Sequence, residues 1–221
     1  MVGENLLRYD KEQVYNLYDY ETCNLNLVHE KNLPWEYASW LVTKDKVLEK
    51  KYFLINWEKA GRKLEVSDDA ARLTGFYTKY PKLMTEGLHP EEALERIEKD
   101  FDNSKIIPVA HNGFGFDVYM QNLMRKILGK KPDYSYIKRY IDTNLIARAW
   151  KLEVPFPADR KDLLSFQYKM SSHRVKGVKT SIKALCADFG IEYDETRAHD
   201  SSYDCGRLYE ILKQLLWKVE I

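Results

Sequence analysis

The chain has 221 residues, with 35 Lys and Arg against 34 Asp and Glu, for a formal net charge of +1. That length suits one compact unit with a proper hydrophobic core, and the apolar and charged fractions are those of a folded, water-soluble protein rather than a disordered one. A near-neutral balance neither demands nor excludes a nucleic-acid partner, because the local field matters more than the sum. Met1-Val2-Gly3-Glu4-Asn5 carries no basic patch followed by an apolar core, and no apolar stretch reaches bilayer length. The expectation is a soluble, cytoplasmic protein with no membrane partner. Cys23, Cys186 and Cys205 are odd in number, far apart and without a Cys-x-x-Cys pair, so reduced thiols are expected rather than a disulfide framework or a zinc site.

Val14 to Tyr20 reads as a short apolar and aromatic strand running into Asp19-Tyr20-Glu21. A second strand fits Glu36 to Val42 and a third Val47 to Trp57. Thr43-Lys44-Asp45-Lys46 makes a tight connection, so these two should pair antiparallel. Ser67-Asp68-Asp69 caps a short helix through Leu73 with Gly75 as its stop, and Pro90-Glu91-Glu92 opens another with Ala93, Leu94 and Ile97 on one face. Ile106 to Ala110 is a buried strand leading through His111-Asn112-Gly113-Phe114-Gly115 into a helix from about Phe116 to Leu128. Tyr140 to Asp142 is a further strand, followed by a helix through Trp150. Asp162 to Tyr168, Ser181 to Phe189 and Ser201 to Trp217 are read as helices, the last with Leu208, Ile211, Leu212 and Leu215 as its apolar stripe. Strands that first pair locally and then alternate with helices predict an α/β fold, a mixed sheet flanked by helices.

Acidic residues at three places carry the chemistry. Asp19 and Glu21 lie two apart in a strand, so both side chains share one face, and two carboxylates aimed together favour a hard cation between them. Each acid alone has a plainer reading: strand-end acids are commonly solvated, and Asp117 at a helix start is favoured by the helix dipole. His111 and Asn112 can hydrogen-bond within the loop before it. His199 precedes the last helix, and Asp204 is expected in its second turn, so both can point to one site. His29, His89 and His173 are read as surface or satisfied groups. Phosphodiester hydrolysis with two Mg²⁺ or Mn²⁺ ions needs several oxygen ligands and an attacking water, and a histidine can take that water's proton near neutral pH.

Tyr18-Asp19-Tyr20-Glu21-Thr22, Ala110-His111-Asn112 with Phe116-Asp117, and His199-Asp200-Ser201-Ser202-Tyr203-Asp204 resemble the motifs of the 3′-to-5′ exonucleases with an Asp-Glu-Asp-Asp metal set and a catalytic histidine. That family includes the polymerase III epsilon proofreading subunit, ribonuclease T, oligoribonuclease and bacterial exonuclease I. Softer similarities lie in Ala71 to Gly75, Ile141-Asp142-Thr143 and Leu185 to Ile191, and in order the resemblance covers about residues 12–217. It implies a ribonuclease-H-like mixed five-stranded sheet flanked by helices, with residues 1–221 as a single exonuclease domain. It also implies metal ligation by Asp19, Glu21, Asp117 and Asp204 and general-base catalysis by His199, with two divalent ions as cofactors. Three departures stand out. Asn24 takes a place where members often carry Gly, and the loop from Asn112 to Asp117 is one residue longer than in the proofreading subunit, as in exonuclease I. The segment between Asp142 and Ser181 is also long.

Arg160, Lys161, Lys169, Arg174, Lys176 and Lys179 interleave with Phe166 and Tyr168. Basic side chains neutralise phosphates and aromatic faces stack on unpaired bases, so this stretch, with Asn112, is a candidate border of a nucleic-acid groove. The same pattern fits a solvated loop beside a helix whose aromatics are core. The leading expectation is hydrolysis at single-stranded DNA 3′ ends, with a polymerase or other replication protein as a separate partner. An exoribonuclease of the same family and a polymerase-associated binding module are the alternatives. His-Glu-x-x-His, Gly-x-Ser-x-Gly and Walker-type motifs are absent, which sets aside other hydrolase classes.

Overall fold

The computed structural model describes residues 6–24, 27 and 32–221; His29 lies outside them. Five strands form one mixed sheet: β1 (Val14–Thr22), β2 (Pro34–Val42), β3 (Val47–Leu54), β4 (Ile106–Ala110) and β5 (Ile141–Asp142). Their order is β3-β2-β1-β4-β5, antiparallel on the β1–β2–β3 side and parallel from β1 through β4 to β5. The hairpin expected across Thr43–Lys46 is present, with Lys46 accepting from the Thr43 backbone N–H. β3 stops at Leu54, three residues before the expected end. Its backbone diverts there, and Asn56 caps a single turn at Trp57–Ala60 through its side chain.

The helices are α1 (Asp68–Thr74), α2 (Phe76–Glu86), α3 (Pro90–Asp102), α4 (Asp117–Ile127), α5 (Thr143–Lys151), α6 (Leu163–Ser172), α7 (Ile182–Phe189) and α8 (Ser201–Lys218). Ser67 caps α1 through a bond from the Ala70 N–H, and Gly75 ends it in the left-handed conformation, as its sequence predicts. Gly75 also begins α2, a helix that the sequence reading leaves out. Pro81 sits inside α2, where its missing N–H and bulky ring normally argue against a helix, but the buried Phe76 and Leu83 hold the segment on the core. Asn24 is not among the described residues with a positive φ. Asn32 Oδ1 accepts its N–H, and Thr22 Oγ1 donates to its carbonyl.

Alternation along β1 divides the core in two. Tyr18 and Tyr20 pack with Tyr37, Phe101, Ile97 and Met124 on the face covered by α2, α3 and α4. Tyr15 and Leu17 pack on the other face with Leu208, Ile211, Leu212 and Leu215 of α8, all four buried as the stripe predicts. Each such side chain contributes about 1.5–3 kcal/mol over leaving it exposed, so α8 is tied firmly to β1 and β2. The three cysteines are buried and unpaired with one another. Among the described residues no helix is long and apolar enough to cross a membrane.

Candidate active site

Asp19 and Glu21 continue the α8-facing side of β1 to its C-terminal end. β4 runs parallel beside β1 and ends at Ala110, so the chain leaves the sheet there through His111 and Asn112. Crevices at the carboxyl ends of parallel strands are the common binding position in open α/β sheets. Here the crevice is an open cleft of about 410 Å³ whose walls include Asp19, Glu21, Asp117, His199 and Asp204. The structure therefore brings the five sequence-predicted residues together from three segments. Asn112 lines the same cleft, and Ala70, Leu73 and Phe116 give it an apolar side.

Local geometry explains how each side chain arrives. The Asp142 carboxylate accepts the N–H groups of Asn112 at 3.0 Å and Phe114 at 3.1 Å, which folds the loop ahead of α4 and aims Asp117 inward. The same carboxylate caps α5 through the N–H of Asn144 at 3.0 Å. Asn112 takes a left-handed φ of 64°, which Asn tolerates better than most residues. Gly113 is required by crowding: a Cβ there would lie 1.9 Å from the Tyr140 hydroxyl oxygen. On the opposite wall His199 also has a φ of 64°, just ahead of Asp200, whose side chain caps α8 by accepting the Tyr203 N–H at 2.9 Å. Asp204 lies in the first turn of α8, one turn earlier than expected, and accepts the His199 N–H at 3.1 Å.

Burial and mutual repulsion act together on the carboxyl groups. Asp19 is raised well above the usual carboxylate range by burial, then by Glu21, Asp117 and Asp204. Glu21 is raised by burial, then by Glu36 and Asp204. Burial pushes Asp117 up to about 8, with Asp142 adding to the rise and the Tyr20 backbone opposing it. Burial pushes Asp204 up to about 6 against the stabilising His199 N–H. Acids crowded this way ionise together only beside positive charge. Oδ1 of Asp117 and Oδ1 of Asp204 are buried without a hydrogen-bond partner among the described residues, and Glu21, His199 and Asp204 offer ligand atoms all within 4.8 Å of one another. Hard oxygen donors in excess, with partnerless oxygens among them, fit a divalent cation.

His111 also lines the cleft. Its Nδ1 lies 3.0 Å from Thr143 Oγ1 and its Nε2 3.4 Å from Asn144 Nδ2, and burial pushes its pKa down to about 4. It is a neutral, structural imidazole at ordinary pH. Asn144 Oδ1 in turn accepts from Arg148 at 3.0 Å, and Arg174 lies close enough to Arg148 to depress its pKa further, after burial. Arg174 is thus near Arg148 of α5. The Arg160 charge instead acts on the Tyr15 hydroxyl, near the end of β1 opposite the carboxylates. Lys161 is exposed and paired with Asp159 at 2.8 Å, and Lys176 is exposed in the segment after α6. The two aromatics also part company. Phe166 packs against Phe156 in the core, whereas Tyr168 is exposed and stacks on Phe114 at 5.1 Å.

No family model matches the chain, and no curated protein matches it in sequence. Solved structures do resemble it. The zinc-bound complex of E. coli exonuclease I with single-stranded DNA superposes with a TM-score of 0.66 at 16% identity, over 91% of this chain and 40% of that one. Exonuclease I with a dA16 oligonucleotide gives 0.66 at 16%, over 95% and 41%, and with a dT13 oligonucleotide 0.64 at 18%, over 92% and 41%. The chain spans about two fifths of the length of these proteins. Likeness at this identity shows the fold, which is ribonuclease-H-like.

Sequence reading missed Glu36, Lys79 and Ser201, which meet directly behind the carboxylates. Glu36 is the cross-strand partner of Glu21 and is wholly buried. A charged residue inside the apolar stretch Pro34–Val42 was the available signal. Its partners, on α2 and α8, could not be read from spacing.

Proposed function

We propose that this chain is a metal-dependent 3′-to-5′ exonuclease that removes nucleoside monophosphates from single-stranded DNA ends. The observation that carries the reading is the convergence of Asp19, Glu21, Asp117, Asp204 and His199 on one cleft, with buried carboxylate oxygens left unpartnered. The fold likeness to exonuclease I, solved with single-stranded oligonucleotides, supports the same reading and favours DNA over RNA. Processing of DNA ends in replication or repair is the setting that this activity fits.

In this reading Asp19, Glu21, Asp117 and Asp204 hold divalent ions, two in number by the requirements of the chemistry. When bound, those ions neutralise the phosphate and stabilise charge on the attacking and departing oxygens. His199 takes the proton of the attacking water. The water oxygen bonds to phosphorus as the bond from phosphorus to the neighbouring nucleotide's 3′ oxygen breaks. The products are a nucleoside 5′-monophosphate and a chain shorter by one residue with a free 3′ hydroxyl. Leu73 and Phe116 present apolar surface to the terminal base, and Asn112 presents polar groups beside it. Arg174 extends the contact to the trailing phosphates, and Tyr168 offers a ring to the trailing bases.

The test is digestion of 5′-labelled single-stranded DNA, duplex DNA and RNA with Mg²⁺, Mn²⁺ or EDTA, beside Asp19→Ala and His199→Ala. Metal-dependent shortening from the 3′ end, strongest on single-stranded DNA and lost in both variants, is expected. Preference for RNA would reassign the substrate, and absence of digestion on every polymer would overturn the reading.

A further inference from the structure

Glu36 sits on β2 directly across from Glu21 in the antiparallel register, so the two side chains leave the same face of the sheet. Its side chain is 0% exposed. Burying a carboxylate is costly unless it is paired and hydrogen-bonded, and Glu36 is both. Lys79 of α2 donates to Oε2 at 2.6 Å. Ser201, the first residue of α8, donates its hydroxyl to Oε1 at 2.7 Å and its backbone N–H to the same oxygen at 3.3 Å. One carboxylate therefore joins the middle of the sheet, a helix from one layer and the N-terminus of a helix from the other.

We infer that Glu36, held between Lys79 and Ser201, is a positioning residue that fixes His199 and Asp204 relative to Glu21. The inference rests on the exonuclease reading above and assigns the support of its active site. Ser201 lies two residues after His199 and three before Asp204, so the point at which Glu36 grips α8 falls between them. His199 occupies a left-handed backbone conformation, and Asp200 makes the remaining cap of the helix. A shift of the Ser201 backbone would carry both functional side chains with it. Glu21, the third member of the close group, is anchored to the same carboxylate's strand by the β1–β2 ladder. Lys79 has a second consequence: its positive charge partly offsets, at Glu21, the repulsion that Glu36 and Asp204 exert there. Its ammonium also lies over the Trp35 ring, 5.6 Å from the centroid, which restricts where the charge can sit. Tyr52 and Asp200 also face Glu36, and the Asp200 charge acts on Asp204 as well.

Replacing Glu36 itself risks unfolding, because Lys79 would lose its partner, so the test uses Ser201→Ala, Lys79→Met and Lys79→Arg. Circular dichroism and Tm establish that each variant is folded. Digestion of a 5′-labelled dT oligonucleotide with Mn²⁺ then separates kcat from KM. Misplacing reacting groups by about 1 Å costs on the order of 100-fold in rate, so kcat is expected to fall about 10-fold in Ser201→Ala and about 50-fold in Lys79→Met, with KM changed less than about 2-fold. Lys79→Arg should recover most of the loss, because the charge and its reach are kept. Ser201→Ala is informative on its own, since it leaves the Lys79 charge in place. A second readout needs no activity: the ¹H–¹³C resonance of the His199 ring, assigned through His199→Ala, should shift or broaden in Ser201→Ala and Lys79→Met. If the wild-type chain digests nothing, the exonuclease reading fails and this resonance alone decides the positioning role. Wild-type kcat in both variants, or an unmoved His199 resonance in both, would overturn the inference.

Discussion

The backbone N–H of His199 donates to Oδ2 of Asp204 at 3.1 Å across the start of α8. That bond ties the candidate base to a candidate metal ligand and uses only one of the ligand's two oxygens. Oδ1 stays buried with no partner among the described residues, in the same state as Oδ1 of Asp117. The arrangement is electrostatically unfavourable by itself and favourable around a cation, and the predictions below follow from it.

Neutralising one ligand should separate function from stability. Asp204→Asn and Asp117→Asn each remove a charge from a crowded, buried group. At pH 8 without metal, the variants should melt above the wild-type chain by about 2–4 °C for each kcal/mol of repulsion relieved. Their hydrolysis rate should fall by about 10³-fold or more, the scale of losing a residue that acts as part of one catalytic unit. A melting temperature below that of the wild type at pH 8 would show that the carboxylates are not under mutual strain.

Stability of the metal-free chain should fall as pH rises. Asp117 titrates near 8 and Asp204 near 6 in the folded chain, against about 4 for an unfolded aspartate, so the folded state binds more protons between those values. Their contribution is present below pH 4 and is lost progressively up to about pH 8. Added Mn²⁺ or Mg²⁺ should therefore raise Tm far more at pH 8 than at pH 5. Thermal melts across this range, with and without metal, measure it directly. An equal metal effect at both ends would count against carboxylate ligation.

Substitutions at His199 should report backbone and chemistry separately. Ala pays for the left-handed φ of 64° and Gly does not, so His199→Gly should be the more stable of the two by about 1 kcal/mol. Both should lose hydrolysis by about 10²–10⁴-fold, the range typical of a missing general base. Activity that tracked the stability ranking instead would assign His199 a purely structural role.

Asp142 should be costly to replace although it lies outside the predicted ligand set. Its carboxylate accepts four backbone N–H groups, from Asn112, Phe114, Asn144 and Leu145. Asp142→Ala should cost on the order of 3 kcal/mol, or about 6–12 °C in Tm, because four part-buried or buried donors would lose their acceptor together. Chemical denaturation gives the free energy, and a loss below about 1 kcal/mol would mean that water or a rearranged loop replaces the carboxylate.

The two ends of the basic segment should behave unlike one another. Arg174→Ala should weaken binding of a dT oligonucleotide in EDTA and reduce the slope of log affinity against log salt by about 1, the signature of one lost phosphate contact. Arg160→Ala should leave both quantities unchanged, since Arg160 lies near Tyr15 at the far end of β1. Fluorescence anisotropy across a salt series distinguishes them.

Local patterning made most of the architecture legible. Alternation placed Asp19 and Glu21 on one face of β1, Ser67 and Gly75 marked the ends of α1, and the stripe from Leu208 to Leu215 predicted the buried side of α8. These signals depend on residues a few positions apart, and backbone geometry converts such spacings into faces and caps. Helix α2 was hidden because Pro81 and the flanking glycines are local breakers, and only burial of Phe76 and Leu83 outweighs them. Segments far apart in the chain were another matter. That five candidate side chains share one cleft, that Arg160 lies near Tyr15 while Arg174 lies near Arg148, and that Glu36 is gripped by Lys79 and Ser201 are all set by how the layers pack on the sheet. Sequence by itself determined which residues could do the chemistry and on which elements they ride. Only the tertiary structure decided which of them meet, because contacts between distant segments are fixed by packing and by the pairing of buried charge, and neither leaves a period in the sequence.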